Sequence, residues 1–386
     1  MYENEIKAAS EKFEALMRKQ LARNEKINAA GDFTDYTKLN KIIIGVCGGD
    51  GIGPVITAEA QRVLEFILAD EVKNGKIEFK VIDGLTLENR IACNKAIPDD
   101  VLAELKKCHV ILKGPTTTPQ AGDGRPNIES ANVAMRKELD LFANVRPVRV
   151  PSEGLDWTFF RENTEGAYAV GSDGINITDE LAMDFVVTTT EGTERIARLA
   201  YNYARANGKD RVSIIQKANV IKTTDGKFLS LCRKIGEDYP EITTDEWYID
   251  ITTAKLIDPK RRKDFKVFIL PNLYGDIITD EAAEFQGGVG TAGSSNIGKK
   301  YAMFEAIHGS APRMISEGRG AYADPCSMLR AAAMLLAHIG YREKSEALDN
   351  ALDRCMANPD YKFTGREDGC TCEDFGNYLM ETLTNI

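Results

Sequence analysis

Two aspartates, Asp276 and Asp280, lie four residues apart directly after an apolar stretch of the chain. Residues at positions i and i+4 share one face of a helix, so the two carboxylates are expected to project in the same direction. Carboxylate oxygens are ligands that Mg²⁺ and Mn²⁺ prefer, which makes the pair a candidate metal site. The alternative is structural: Asp276 caps the helix and Asp280 faces water.

Three arginines, Arg136, Arg146 and Arg161, are candidates for binding carboxylates. A guanidinium group presents a planar fork of donors that matches a carboxylate, so three arginines could bind several carboxylates of one substrate. A solvated surface charge is the alternative for each arginine taken alone. Arg161 directly follows the apolar segment 157–160, where a purely solvated role is less natural. Ser130 and Asn132 add a hydroxyl and an amide to the helix that carries Arg136.

A phenol and an ammonium group, on Tyr168 and Lys217, could move protons. Tyr168 lies in a glycine-containing loop, and Lys217 follows the apolar segment 212–216. A nearby cation would lower their pKa values and so favour acid–base catalysis. Placement on the surface without a catalytic role is the alternative for both residues.

The elements that must position these side chains alternate between strand and helix. Strands are predicted at 41–46, 77–82, 109–112, 157–160, 212–216 and 267–270. Helices are predicted at about 4–29, 55–69, 100–107, 192–206, 225–237 and 276–286, with a loop at 271–275. This alternation indicates α/β architecture, in which ligands bind beyond the carboxyl ends of the strands.

The composition excludes several classes of protein. A chain of 386 residues with 43% hydrophobic residues is long enough for two domains. A net charge of −10 argues against a nucleic-acid partner, and no apolar run approaches the length that crosses a membrane. The eight cysteines lack metal-ligand spacing and the N-terminus lacks the apolar core of a signal peptide, so a cytoplasmic protein with reduced thiols is expected.

Five segments together resemble the isocitrate and isopropylmalate dehydrogenase family, the metal-dependent β-decarboxylating dehydrogenases. The first is a glycine-rich turn whose spacing is not that of a Rossmann phosphate loop. The similarity covers about residues 41–386, and the segments keep the order of the family. They are Gly49-Asp50-Gly51-Ile52-Gly53-Pro54, Arg161-Glu162-Asn163-Thr164-Glu165-Gly166, Lys217-Ala218-Asn219, Asn272-Leu273-Tyr274-Gly275-Asp276 with Asp280, and His308-Gly309-Ser310-Ala311-Pro312.

The resemblance implies a fold with a large and a small α/β domain that is not a Rossmann fold. Residues 1–40 are expected to form an N-terminal helical extension. Residues 41–141 and 287–386 would form the large, dinucleotide-binding domain. Residues 142–286 would form the small domain, which carries the dimer interface and a β clasp at about 166–190.

The resemblance also implies the catalytic roles. Asp276 and Asp280 would bind Mg²⁺ or Mn²⁺ together with Asp250 of the partner subunit, in a homodimer with shared active sites. Lys217, also from the partner, would assist proton removal from the substrate hydroxyl. Tyr168 would protonate the enolate that remains after CO₂ leaves.

The implied substrate is isocitrate, whose carboxylates Arg136, Arg146 and Arg161 would bind. Isopropylmalate enzymes have an apolar patch where this chain has Ser130 and Asn132. Because a carboxylate buried among apolar residues lacks partners, these two residues favour a polar substrate. The expected reaction is oxidative decarboxylation of isocitrate to 2-oxoglutarate and CO₂ with NAD(P)⁺.

The choice of cofactor depends on two arginines. NAD-specific members of the family have aspartates at the positions of Arg313 and Arg366, and an arginine favours the 2′-phosphate of NADP. The lysine–tyrosine pair of bacterial NADP enzymes is absent, so NAD remains an alternative. The cofactor-binding residues implied by the resemblance are Thr118, Asn219, His308, Gly309, Arg313, Asp324 and Arg366.

Other functions use similar residues. Homoisocitrate, tartrate or isopropylmalate dehydrogenase could share most of them. A non-catalytic regulatory subunit is an alternative of a different class, although such subunits typically lose the tyrosine, lysine or metal aspartates that this chain retains.

Overall fold

The computed structural model describes residues 2–119, 122, 124–126 and 128–385; Met1 and Ile386, the outer limits of the predicted domains, lie outside this part. The strands are β1 Ile42–Cys47, β2 Ile77–Val81, β3 Val110–Lys113, β4 Ala143–Val150, β5 Leu155–Glu162, β6 Ile175–Thr178, β7 Leu181–Met183, β8 Arg211–Gln216, β9 Thr243–Tyr248, β10 Val267–Leu270, β11 Gly293–Ile297 and β12 Ala302–Ala306. The helices are α1 Glu3–Asn28, α2 Gly53–Ile67, α3 Ala69–Lys73, α4 Leu87–Ala92, α5 Asp99–Leu105, α6 Ala131–Glu138, α7 Thr190–Ala206, α8 Thr224–Gly236, α9 Ile249–Leu256, α10 Asn272–Glu284, α11 Pro312–Ser316, α12 Cys326–His338, α13 Arg342–Met356 and α14 Cys372–Thr384.

The chain divides into two compact units. The first unit contains residues up to Asp32 and Phe142–Ala282, and the second contains Phe33–Leu141 and the residues from Ala283 onward. Helix α1 lies in the first unit, whereas residues 33–40, also expected in the N-terminal extension, lie in the second. The roles expected of the two domains, dinucleotide binding and dimerisation, stay predictions.

In the first unit the strands follow the order β4-β5-β10-β8-β9. Strands β5, β10, β8 and β9 are parallel, and β4 runs antiparallel to β5. Strand β10 is buried along its whole length, as expected for an apolar strand in the centre of a parallel sheet. The parallel order brings the carboxyl ends of four strands to one edge of the sheet. Most of the predicted site residues of this unit lie at or directly after these strand ends.

Aromatic side chains form much of the core of the first unit. Phe159 of β5 and Phe268 of β10 are stacked with ring centroids 4.3 Å apart, and Trp157 meets both rings edge-on at 6.3 Å. Such contacts add to the stabilisation from burial. Helix α7 begins after Thr189, whose hydroxyl accepts a hydrogen bond from Gly192 N at 3.0 Å and so caps the helix.

In the second unit the order is β2-β1-β3-β12-β11, with only β11 antiparallel to its neighbour β12 among the described pairs. One hydrophobic cluster of this unit joins the sheet to α5 and α6. Its members include Leu105, Ile111, Met135, Leu139 and Met303, all nearly or fully buried. The cluster holds the start of α6, where Ser130 and Asn132 lie, against the strands.

The α/β architecture predicted from the sequence is confirmed, but the predicted beginning of the helix that carries Asp276 and Asp280 is wrong. Helix α10 begins at Asn272, so residues 272–275 are helical and Asp276 lies in the second turn. The amide of Gly275 already donates to Pro271 O at 3.0 Å. Pro271 was a misleading signal of a loop, because proline is tolerated at the beginning of a helix. Among the described residues, no helix has both the length and the apolar character to cross a membrane.

Candidate functional site

Arg161 is the buried centre of the candidate site in the first unit. It lies opposite Leu270 in the parallel register of β5 and β10, so its side chain meets the start of α10. Its Nε and Nη2 donate to Asn272 Oδ1 at 3.0 and 2.7 Å, and its Nη1 donates to Asp276 Oδ1. A charge that is 1% exposed requires such partners, so these contacts fix the guanidinium group in one orientation.

The two aspartates at i and i+4 lie among further predicted residues. Asp280 Oδ1 accepts from Arg146 Nη1 at 2.8 Å, and the same nitrogen donates to Thr279 Oγ1 at 2.6 Å. Asp276 Oδ2 accepts from the Tyr168 hydroxyl at 2.8 Å. The first unit therefore brings together two predicted metal ligands, two predicted substrate-binding arginines and the predicted acid.

The donor chemistry of this pair fits part of a site for Mg²⁺ or Mn²⁺. The Asp276 side chain is 38% exposed and that of Asp280 is 62% exposed, so both carboxylates are accessible. Within the described part of the chain, no three His, Cys, Asp or Glu side chains converge into a group that could hold a metal.

Lys217 and Asp250 form a separate pair beyond β8 and β9. Lys217 Nζ lies 2.7 Å from Asp250 Oδ1, and the hydrogen bond from the lysine lowers the pKa of Asp250. The backbone amide of Lys217 donates to Asp225 Oδ2 at 2.7 Å, which fixes the turn that carries the lysine. Burial raises the pKa of Asp225, whose carboxylate also accepts from the Tyr274 hydroxyl.

Asn219, predicted to lie near the nicotinamide, follows Lys217 on this turn. It lines a cavity of about 350 Å³ together with Leu229, Trp247 and Tyr248, among others. The structure therefore places Asn219 with Lys217 at the β8 end of the sheet edge.

In the second unit, three segments far apart in sequence meet at the glycine-rich turn. Asp50 Oδ2 accepts from Thr117 N at 2.7 Å, and the Thr117 hydroxyl lies 2.6 Å from Ser310 Oγ. Gly51 has a φ of +60° and approaches the Ser310 carbonyl so closely that a Cβ would lie 1.9 Å from its oxygen. This contact explains the glycine at position 51. Thr118, which is exposed, directly follows Thr117 and so lies beside the His308–Pro312 segment.

The predicted substrate residues of the second unit lie at the start of α6. Ser130 precedes the helix, and Asn132 Oδ1 accepts from the Thr116 hydroxyl at 3.1 Å. Arg136 Nη2 lies 3.4 Å from Glu305 Oε1, and Lys113 Nζ lies 3.1 Å from Glu305 Oε2. Burial opposes ionisation of Glu305, but Lys113 and Arg136 outweigh it and hold its pKa at about 2.

His308 and Asp324, expected at the adenosine end of the cofactor, are close enough to interact electrostatically. Burial raises the pKa of Asp324, and a positive charge on His308 opposes that shift. Asp324 Oδ1 accepts from Cys326 N at 2.8 Å at the start of α12. His308 Nδ1 lies 2.9 Å from the carbonyl oxygen of the neighbouring Gly309. Gly309 is exposed.

Arg313 and Arg366 both lie near Glu317. Arg313 Nε donates to Glu317 Oε1 at 2.5 Å on the surface, and this hydrogen bond, followed by that of Arg319, lowers the pKa of Glu317. Arg366 acts on the same carboxylate through its charge. Arg319 also donates to Gly365 O at 2.6 Å, which joins the two segments. The two predicted arginines therefore belong to a group of three.

Sequence reasoning missed several residues that support these groups. Asn272 stands within one of the five motifs without a predicted role, but its amide holds both Arg161 and, through Nδ2 at 3.1 Å, the carbonyl of Glu165. Lys113 and Glu305 were missed because charged residues inside apolar strands have no local signal of pairing. Arg319 was missed because its loop shows no periodicity.

Comparisons with known proteins show which family this chain belongs to. Residues 43–379 match the isocitrate/isopropylmalate dehydrogenase family. The chain is 36% identical to isocitrate dehydrogenase (NADP) of Rickettsia prowazekii, in a match that covers 83% of this chain and 64% of that protein. It therefore spans slightly less than two thirds of that relative.

Other relatives are matched over most of their length. Homoisocitrate dehydrogenase of Methanocaldococcus jannaschii is 35% identical, with 81% of this chain and 90% of that protein covered. A mitochondrial regulatory subunit of isocitrate dehydrogenase (NAD) from Dictyostelium discoideum is 32% identical, with 90% and 93% covered. The crystal structure of isocitrate dehydrogenase from Methylococcus capsulatus has a TM-score of 0.76 and 31% identity, and the match covers 89% of this chain and 99% of that one. The chain belongs to the isocitrate/isopropylmalate dehydrogenase family, as its five motifs predicted.

Proposed function

We propose that this chain is an isocitrate dehydrogenase that oxidatively decarboxylates isocitrate to 2-oxoglutarate and CO₂, with Mg²⁺ or Mn²⁺ and with NADP⁺ in preference to NAD⁺. One observation carries the proposal: Arg161, Asp276 and Tyr168 are joined by direct hydrogen bonds at the carboxyl edge of the sheet. These contacts support the roles proposed for the three residues: a carboxylate that would bind the cation, a guanidinium group that would bind a substrate carboxylate, and a proton donor.

Asp276 and Asp280 would hold the cation, and in a homodimer the partner's Asp250 would be the third carboxylate. When bound, a divalent cation acts as a Lewis acid that stabilises negative charge on the substrate oxygens. Arg146 and Arg161, which pair with Asp280 and Asp276, would also bind the carboxylates of the substrate.

The remaining side chains supply binding and proton transfer. Arg136, held by Glu305, would bind a further carboxylate, and Ser130 and Asn132 would donate hydrogen bonds to the carboxylate that distinguishes isocitrate from isopropylmalate. Lys217, from the partner subunit, would assist removal of the proton from the substrate hydroxyl. The Tyr168 hydroxyl would give its proton to the enolate carbon as the final step.

Most of the expected cofactor-binding residues belong to the second unit. Thr118 would lie near the nicotinamide, as would Asn219, and His308, Gly309 and Asp324 would bind the adenosine portion. Arg313 and Arg366, which surround Glu317 together with Arg319, supply positive charge for a 2′-phosphate. This cluster is the reason for preferring NADP.

A single panel of assays tests the proposal. The purified protein is mixed with Mn²⁺ and NADP⁺ or NAD⁺, and the absorbance of reduced nicotinamide is followed with isocitrate, homoisocitrate, tartrate and isopropylmalate in parallel. The largest kcat/KM is expected for isocitrate with NADP⁺. A larger kcat/KM for homoisocitrate would instead indicate a homoisocitrate dehydrogenase, like the Methanocaldococcus relative. Binding of isocitrate without turnover of any acid would indicate a regulatory subunit.

A further inference from the structure

Helix α1 precedes the segment that matches the family, yet it is firmly attached to the first unit. The ring of Phe13 stacks on Phe185 with centroids 4.9 Å apart. Lys19 Nζ lies 2.5 Å from Asp173 Oδ2, and Lys12 Nζ donates to Gly174 O at 2.7 Å. These contacts fix the helix against the segment that follows Tyr168.

One residue of α1 reaches the buried loop between Arg161 and Tyr168. Arg23 Nη1 lies 3.2 Å from Glu165 Oε1, and Arg23 Nη2 donates to Thr164 Oγ1 at 2.9 Å. The Glu165 side chain is 3% exposed, so its charge requires compensation inside the protein. Exposed ion pairs contribute little to the stability of a fold. In this pair, however, Glu165 is buried.

The loop around Glu165 is crowded with acidic groups. Glu162 is buried beside it, and burial together with the charge of Glu165 raises the pKa of Glu162 above its ordinary value. Two cations contact the loop at Thr164: Arg23 from α1 and Arg195 from α7, whose Nη2 donates to Thr164 Oγ1 at 3.3 Å. Arg23 therefore adds a positive charge to the one that Arg195 supplies from the matched part of the chain.

A continuous set of contacts leads from Arg23 to the candidate site. The carbonyl of Glu165 accepts from Asn272 Nδ2 at 3.1 Å, and Asn272 Oδ1 accepts from Arg161. A shift of Glu165 would thus move the residue that orients Arg161. It would also move Tyr168, which lies three residues further along the loop.

We propose that α1 is a positioning element for the loop 161–168, and that Arg23 is the positioning residue through which it acts. The proposal rests on the proposed function, because Arg161 and Tyr168 matter to catalysis only there. It goes beyond that function by assigning a role to a helix outside the matched segment. Arg23 contacts the loop at Glu165 and Thr164, so its effect on the site passes through the loop.

The test compares Arg23→Gln and Arg23→Lys with Arg18→Gln. Arg18 is a matched control, since it lies on the same helix and pairs with Glu14 in solvent, with 76% of its side chain exposed. Arg23→Gln is expected to lower kcat for isocitrate about 10-fold to 100-fold, with a smaller change in KM, since a misplacement of about 1 Å can cost that much. Arg23→Lys should restore part of kcat, and Arg18→Gln should leave it unchanged.

Hydrogen–deuterium exchange provides a readout that does not need activity. Exchange in residues 161–168 should rise in Arg23→Gln and stay at the wild-type level in Arg18→Gln. If Arg23→Gln does not fold, Glu165→Gln makes the same comparison, because it removes the charge from the other side of the pair.

The outcomes separate this proposal from the proposed function. Unchanged kcat and unchanged exchange in the Arg23 variants would overturn the role of α1. A wild-type protein that turns over no isocitrate, but whose loop exchange still depends on Arg23, would refute the proposed function and retain the positioning contact. A fall in kcat that Arg23→Lys does not reverse at all would also overturn the proposal, since it would not depend on the positive charge.

Discussion

Gly275 and Arg161 fit together without room for another atom: a Cβ at position 275 would lie 2.5 Å from the Cγ of Arg161 and 2.7 Å from its Cβ. The glycine is inside α10, so its role is close approach and not a turn. This contact allows the guanidinium group to lie beneath the helix and reach Asp276.

Gly275→Ala is expected to displace Arg161 and so to lower kcat/KM for isocitrate by about 100-fold. Overpacking should also reduce the free energy of unfolding by about 1–3 kcal/mol. Gly226→Ala is the matched control, because Gly226 lies in α8 and a Cβ added there would have no other atom within 4 Å. The control should keep its activity and gain up to about 1 kcal/mol of stability. Equal activity of the two variants would contradict the close-packing account.

Asp280→Asn tests the metal site. Because the carboxylate is mostly exposed, the variant should fold, and its affinity for Mn²⁺ should fall by at least about 100-fold, more than outer contacts of a metal site usually contribute. Calorimetric titration with Mn²⁺ in the presence of isocitrate measures this change. Asp264→Asn, which removes an exposed partner of Arg261, serves as the control and should bind Mn²⁺ normally. Normal binding by Asp280→Asn would remove this residue from the set of ligands.

Arg313→Ala tests the choice of cofactor. The arginine is largely exposed and pairs with Glu317 at the surface. Because such a surface ion pair is weak, little free energy is needed to break it and bind a phosphate instead. Loss of a charge-assisted hydrogen bond of about 1.5–3 kcal/mol should raise KM for NADP⁺ about 10-fold to 100-fold and leave KM for NAD⁺ nearly unchanged. Arg342→Ala, from the similar surface pair with Glu346, should change neither value. A preference for NAD⁺ in the wild-type protein would refute the assignment.

The buried Glu305 predicts a particular dependence of stability on pH. Its pKa is lowered from 4.5 to about 2 in the folded protein, so its contribution to stability is present above pH 4.5 and is lost as the pH falls toward 2. Glu305→Gln should unfold more easily by about 3–5 kcal/mol near neutral pH, because Lys113 and Arg136 lose their counter-charge. Urea unfolding from pH 3 to pH 7 should show this difference shrinking on the acidic side. A difference that is independent of pH would contradict the predicted ionisation.

Much of the fold could be predicted because the buried strands of a parallel sheet are continuous apolar runs. Strand β10 agrees with its predicted range, and β8 differs from its prediction by one residue at the beginning. Strands β9 and β11 gave no such signal. Strand β9 lies at the edge of its sheet and is largely polar, and β11 is buried although most of its residues are small or polar. The position of β9 depends on its pairing with β8, and that of β11 on its pairing with β12.

The candidate site could be predicted as a set of residue types, but not as a set of partners. The spacing of Asp276 and Asp280 indicated a shared helix face, and the structure shows both held by arginines. Nothing local to Glu305 indicates that it pairs with Arg136, since the two residues are brought together only by the fold. Arg23 and Glu165 are 142 residues apart in sequence, so their contact is likewise a product of tertiary packing.

The most direct test of the central claim measures CO₂ release and reduction of the nicotinamide in the same reaction. With isocitrate, NADP⁺ and Mn²⁺, we expect one CO₂ for each reduced nicotinamide. Both signals should be lost when EDTA removes the cation. Turnover that continues unchanged in EDTA, or nicotinamide reduction without CO₂, would contradict metal-dependent oxidative decarboxylation by Asp276 and Asp280.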